Sequence, residues 1–374
     1  MVDISFFKKL SPSGIFELWR GGSQSIVGVD LGSSSFKAVQ LRKEREQAVL
    51  ETYGELSVAP YGEVAQGQSA RLPEQKASEL LADLIREAKI TAKEAVVAIP
   101  LRSSFVTLIR LPQMPPGELA KAIPIEARRY IPVPISEVVM DWWSVPPSLH
   151  IQGVPKGEED VAEHEEVILV AIHRDVIEKY RALFGKTGLT VKAFEIEAFS
   201  SVRAAIGREI NPLLIVDVGA LTTKMIMVDK GVVRSAHSID RGAQDLTLAL
   251  SRSLGVDFAR AETTKRETGL SPLPEHREMT SAMEPMLDAI FAEASRVALD
   301  YRRRYGRFME RALLSGGGML LNGVVEHAVE RFGVEVERVH AFSKVRYPAF
   351  LEPVLKDIGP SFAVAIGLAL RELG

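Results

Sequence analysis

The chain has 374 residues, 46 Lys plus Arg against 49 Asp plus Glu, a formal net charge of −3 and 46% hydrophobic residues. This is the balance of an ordinary soluble protein, long enough for two or three domains of roughly 100–200 residues, and it offers no basic excess for a nucleic-acid partner. The absence of cysteine excludes disulfides, thiolate metal sites and cysteine nucleophiles, and fits a reducing, cytosolic setting.

Residues 1–24 mix Phe6, Phe7, Leu10, Phe16 and Trp19 with Lys8, Lys9 and Arg20. They lack the continuous apolar core of a secretory signal, and read as an arm packing on its own domain or as a weak interfacial anchor. Residues 26–29 and 36–41 read as strands around a Gly/Ser turn. Residues 74–88 form a helix with Leu80, Leu81, Leu84 and Ile85 on one face. Residues 94–100 and 105–111 are strand-like, and a Pro-rich stretch then opens a short helix that Pro124 should kink or break. Residues 152–166 are polar and read as an exposed connection. Residues 167–172 form a buried strand, after which Asp175 and Glu178 give an N-terminal cap pattern, and Gly185 and Gly188 close the helix.

A second strand-rich block starts at 213–228, with helices through 244–268 and 279–305. The arginines at 302–304 suit a helix C-terminus. Alternating strands and helices indicate an α/β protein. The longest stretches without Asp, Glu, Lys or Arg, residues 142–155 and 312–325, are shorter than the ~20 apolar residues of a membrane span.

An internal repeat carries the chemistry. Asp30, Gly32, Ser35 and Lys37 recur as Asp217, Gly219, Thr222 and Lys224, each 187 residues later. Each copy is a strand ending in a carboxylate, a glycine turn, a hydroxyl, a basic residue and a returning strand. Glycine lets the backbone turn and approach closely, and successive N–H groups there form an anion-binding nest. Hydroxyls and lysine add donors for phosphate oxygens. A carboxylate beside phosphate makes sense with Mg²⁺ between them, since this ion keeps water ligands. Other short motifs fail: Gly185-Lys186-Thr187 has Tyr180 where a P-loop needs glycine, Tyr180 also occupies the metal-binding Asn position expected after His173-Arg174-Asp175, and His164-Glu165-Glu166 lacks a second His at the zincin spacing.

The paired hairpins resemble the phosphate loops of the actin-like ATPase superfamily. The resemblance implies two duplicated βα domains flanking a nucleotide cleft, with a small inserted subdomain and ATP and Mg²⁺ as cofactors. On it, Asp30, Gly32, Ser33, Ser34, Ser35 and Lys37 face Asp217, Gly219, Ala220, Thr222, Thr223 and Lys224 across the phosphates, with Asp30 and Asp217 reaching the metal through water. The run of Gly316, Gly317, Gly318 and Met319 resembles the adenosine motif. Glu197 matches the position that orients the attacking water, and Asp217 is a second candidate for orienting water or metal. Glu262 and Lys265, on one helix face, match a ribose-contacting pair, and without the family they read as a surface ion pair. Gly242 joins the same set, and residues 360–368 resemble the second connecting helix.

Within that superfamily, residues 25–374 are similar to the PilM family of type IV pilus assembly proteins, relatives of the cell-division protein FtsA. The likeness runs through residues 97–100, 110–119, 126–132, 141–142, 188–189 and 241–247; Pro124 departs from it. It implies an arm at 1–24, subdomain 1A at 25–103 plus 187–212, an inserted subdomain 1C at 104–186 and domain 2 (2A/2B) at 213–374. It further implies a scaffold at the cytoplasmic face of the inner membrane that binds the N-terminal cytoplasmic peptide of PilN between 1A and 1C. Arg110, Met114 and Tyr130 are the groove candidates. Other platform proteins and a second copy are further partners, and membrane association is expected only through partners. The alternatives are an FtsA-like filament protein, against which the chain's end seven residues after Gly367 counts, and a sugar- or acetate-kinase-type enzyme, for which no substrate-base motif stands out.

Overall fold

The computed structural model describes residues 25–145, 164–207 and 209–373. The arm at 1–24, and most of the connection expected at 152–166, lie outside the described residues. The first half contains β1 (Ser25–Leu31), β2 (Ser35–Glu44), β3 (Gln47–Ser57), α1 (Ala59–Gly62), α2 (Glu74–Glu87) and β4 (Glu94–Ile99). It continues through β5 (Ser104–Pro112), α3 (Pro116–Glu126), β6 (Val138–Val145), β7 (His164–His173), α4 (Arg174–Gly185), β8 (Thr190–Ile196) and α5 (Glu197–Ala205). The second half contains β9 (Leu213–Val218), β10 (Thr223–Asp229), β11 (Val232–Ile239), α6 (Ala243–Leu254), α7 (Phe258–Thr268) and α8 (Arg277–Tyr305). It ends with β12 (Arg311–Ser315), α9 (Val324–Phe332), β13 (Glu335–Arg338), β14 (Val345–Arg346) and α10 (Glu352–Arg371).

The sequence repeat becomes a repeat of topology. The first sheet runs β14-β3-β2-β1-β4-β8 and the second β11-β10-β9-β12-β13. In each, a strand pairs antiparallel with its hairpin partner and parallel with a later strand: β1 with β2 and β4, β9 with β10 and β12. The centre of β1 and all of β9 are buried, which is why they read as continuous apolar runs rather than alternating ones. A third, antiparallel sheet, β5-β7-β6, packs through Ile109, Leu119, Ile123 and Leu169 in a small core of its own.

Two late elements and one helix pack on the first sheet. Helix α10 and β14 return to the first sheet: β14 pairs with β3, and α10 packs on β1, β2 and α5. The region 213–374 is therefore not one packing unit. Similarly α4 joins the first core through Ile177, Leu183 and Phe184, with Tyr180 edge-on to Phe194, so the small subdomain's own packing ends at β7. Gly28 and Gly367 explain the closeness of α10: a Cβ at Gly28 would lie 2.0 Å from the Ala365 carbonyl oxygen, and one at Gly367 would lie 1.9 Å from that of Ser200. Helix α10 is long and apolar enough to cross a membrane, yet 61% of its most apolar window is buried inside the protein, as for a core helix.

Local expectations are also adjusted. Pro124 sits in the last turn of α3, which runs to Glu126 and tightens into a 3₁₀ turn at Ala127–Arg129. So late a proline removes one helical hydrogen bond without breaking the helix. Helix α4 begins at Arg174, so Asp175 lies inside the first turn and accepts from the Val176 N–H rather than capping. Residues 164–166 belong to β7, and Glu166 is buried.

Candidate functional site

The two hairpins face one cleft of about 1050 Å³. Register places Asp30 opposite Lys37 on β1 and β2, and Asp217 opposite Lys224 on β9 and β10. Both turns are tight. A Cβ at Gly32 would lie 2.7 Å from the Ser35 carbonyl oxygen, and the Gly219 N–H donates to the Thr222 carbonyl at 2.9 Å. Residues 32–35, 219–220 and 222 line the cleft together with Gly316, Gly317 and Gly318. Gly316 has φ +86, and a side chain there would meet Asp217 Oδ1 at 2.5 Å.

The charges are paired within the site. Lys37 Nζ lies 2.7 Å from Ser35 Oγ and 3.1 Å from Glu55. Burial opposes the Glu55 charge, but Lys37 and Ser35 outweigh it and hold the carboxyl below its ordinary range. Lys224 Nζ lies 3.1 Å from Glu197 Oε2 and 3.8 Å from Asp217 Oδ2. Burial works against its charge too, yet Asp217, Glu197 and Asp30 together raise its pKa. Asp30 behaves oppositely: desolvation pushes it up from 3.8 to about 6, against the pull of Lys37. Glu197 begins α5, and its Oε1 accepts the Leu101 N–H at 2.8 Å.

At the cleft wall on α7, Glu262 and Lys265 pair at 2.7 Å and share Thr247 Oγ1, at 2.6 and 2.8 Å. Both are buried, so this is not the surface pair that the sequence alone suggests. Burial disfavours each charge; Lys265 is lowered by it, while Lys265 and its neighbours still hold Glu262 down.

Three nucleotide candidates do not line the cleft. Thr223 is fully buried, on the strand face opposite its neighbour Lys224, and its hydroxyl donates to the Arg241 carbonyl at 2.8 Å. Met319 is fully buried in the second core. Gly242 backs the second hairpin: a Cβ there would lie 2.5 Å from the Ala220 carbonyl oxygen, and its N–H donates to Asp245 Oδ2 at 2.8 Å.

The groove candidates are spread apart in role. Arg110 pairs with Glu166 at 3.2 Å and lies 5.9 Å from the Tyr305 ring. Glu166 is also held by Arg234 and the Tyr305 hydroxyl, each at 3.1 Å. Glu166 thus fastens the small sheet to the second half, and Arg110, exposed on β5, pairs with it within the sheet. Met114 packs against the small core, and Tyr130 is exposed.

The sequence did not disclose Arg102, Lys179 and Tyr180, which extend the cleft along α4 and the 3₁₀ turn at Leu101–Ser103. Tyr180 entered only as the residue that disqualifies other motifs. Burial raises its pKa, and Asp30 and Glu197 add to that.

This architecture recurs in known proteins. The chain is similar to the solved PilM–PilN type IV pilus biogenesis complex, with 26% identity, a TM-score of 0.76, and coverage of 93% of this chain and 98% of that one. The ethanolamine utilization protein EutJ from Carboxydothermus hydrogenoformans matches at 18% identity and a TM-score of 0.53, over 94% and 91% of the two chains. MreB5 of Spiroplasma citri, solved bound to AMPPNP, matches at 13% identity and a TM-score of 0.51, over 94% and 97%. The fold is therefore the actin-like one that the paired hairpins lead one to expect. Residues 28–373 match the family described as type IV pilus assembly protein PilM, and the chain belongs to that family.

Proposed function

We propose that the chain is a cytoplasmic scaffold of the type IV pilus machine that holds ATP·Mg²⁺ between its hairpins and binds the N-terminal peptide of PilN. The observation that carries the nucleotide part is the facing of two Asp-Gly-hydroxyl-Lys hairpins across one cleft, beside a Gly316–Gly318 backbone wall. Lys37, the serines and Thr222 would meet phosphate oxygens, and Glu262 and Lys265 the ribose. Among the described residues no three His, Asp or Glu side chains group as a metal site. Two carboxylates, Asp30 and Asp217, still suit Mg²⁺, which binds through one or two carboxylates, phosphate and retained water. When bound, the ion would neutralise phosphate charge there.

The partner part is supported by family membership and by likeness to a PilM solved with PilN. The cleft extension at Arg102, Lys179, Tyr180 and Leu183 runs along α4 and the 3₁₀ turn Leu101–Ser103 that leads into the small sheet, and an extended peptide with apolar anchors would suit it. Met114 and Tyr130 remain rim candidates. Binding there would bring the chain to the cytoplasmic face of the inner membrane, where other platform proteins or a second copy could join it. The test is titration with a PilN N-terminal peptide of about a dozen residues and a scrambled copy, ATP and Mg²⁺ being present. Binding of the native peptide alone supports the scaffold; equal binding of both, or none, removes it and leaves an actin-like nucleotide binder.

A further inference from the structure

Glu197 stands where an attacking water would be oriented, yet neither of its oxygens is free. Oε1 is fixed by the Leu101 N–H at 2.8 Å, from the 3₁₀ turn Leu101–Ser103 that follows β4. Oε2 faces Lys224 Nζ at 3.1 Å, and this lysine is itself held in register with Asp217 by the β9–β10 hairpin. Both partners are buried. A carboxylate promotes hydrolysis only through an oxygen within reach of water. The charge-assisted contact occupies Oε2, so that a water must displace Lys224 to reach it.

We infer that Lys224 is a positioning residue that clamps Glu197, so that the cleft retains ATP instead of turning it over. The inference rests on the ATP site proposed above. In hydrolysis the water oxygen forms a new bond to the terminal phosphorus. The bond from that phosphorus to the bridging oxygen breaks, and its electron pair leaves on the diphosphate. The water proton passes to Glu197, and the clamp acts on this transfer. Asp217 does not substitute, because its Oδ2 lies 3.8 Å from the same lysine.

The full chain is loaded with ATP labelled on its terminal phosphate, with Mg²⁺, and conversion of the bound nucleotide is followed in a single turnover. Retention of label is measured separately. Lys224→Met is expected to convert bound ATP at least roughly tenfold faster than the unaltered chain, general base catalysis being worth ~10²–10⁴-fold in full. Lys224→Gln, which keeps size and a donor, is the second variant should the first not fold, with acceleration expected in the same direction. Adding Glu197→Gln to either should remove the gain, and Lys224→Arg, which restores the cation, should return the slow rate. A loosened fold would not give a gain that depends on Glu197. If ATP is retained but neither neutral variant is faster, or if the gain survives Glu197→Gln, the clamp is wrong while the ATP site stands. If the unaltered chain retains no ATP, the site and the clamp fall together.

Discussion

Ser69 and Gln244 join the two halves of the molecule across the mouth of the cleft. The Ser69 N–H and hydroxyl both donate to Gln244 Oε1, at 2.8 and 2.6 Å. Each residue is tied to a hairpin: the Ala70 N–H donates to the Ser33 carbonyl at 3.0 Å, and the Gln244 N–H to that of Ala220 at 2.9 Å. Gly67, at φ +81, lies so close to Glu262 that a Cβ would sit 2.5 Å from its carboxyl carbon. The segment therefore lies against both phosphate hairpins and the expected ribose site.

Opening this bridge is expected to govern nucleotide exchange. Two hydrogen bonds at ~0.5–1.5 kcal/mol each put the effect of Gln244→Ala at roughly a tenfold faster release. Stopped-flow displacement of a fluorescent ATP analogue measures it. An unchanged release rate would mean that the bridge adds nothing to the exchange barrier.

Asp30 gives a pH dependence of definite sign. Its pKa rises from 3.8 to about 6 on folding, with desolvation the main cause. A carboxyl raised in this way binds its proton more tightly in the folded state. Its contribution is fully present below about pH 4, falls as pH rises toward about 6, and is lost above that. Asp30→Asn should therefore raise the thermal midpoint of the nucleotide-free protein near pH 7.5 and change it little near pH 4. A midpoint that drops near pH 7.5 would contradict the desolvation account.

The α10 contact predicts a size limit. Gly367→Ala places a carbon against the Ser200 backbone, where the closest approach without movement is 1.9 Å. Overpacking of this kind costs ~1–3 kcal/mol. Gly317→Ala has nothing within 4 Å of the new carbon, so it should leave the melting temperature nearly unchanged. Equal melting of both variants would show that α10 yields freely.

What was legible in the sequence was local. Asp30 to Lys37 and Asp217 to Lys224 each span one tight hairpin, so spacing alone placed carboxylate and lysine opposite each other. The Glu197–Lys224 pair joins α5 to β10, and Ser69–Gln244 joins residues 175 apart. No periodicity within a segment encodes such meetings. Residues 360–368 resembled a connecting helix, but nothing local said that α10 packs on the first sheet. The pairing of Arg110 with Glu166 was hidden because Glu166, on the neighbouring strand, read as part of a polar connection. Thr223 and Met319 show the converse: motif membership marks a neighbourhood, while side-chain direction along a strand or turn decides contact.

The central claim is that the duplicated hairpins grip one nucleotide, and calorimetry with ATP and Mg²⁺ tests it most directly. The unaltered chain should bind ATP with a strong Mg²⁺ dependence. Losing a charge-assisted contact worth ~1.5–3 kcal/mol, Lys37→Ala should bind ATP roughly ten- to hundredfold more weakly. Asp217→Ala should lose most of the Mg²⁺ dependence. Unaltered ATP affinity in both variants would contradict the account.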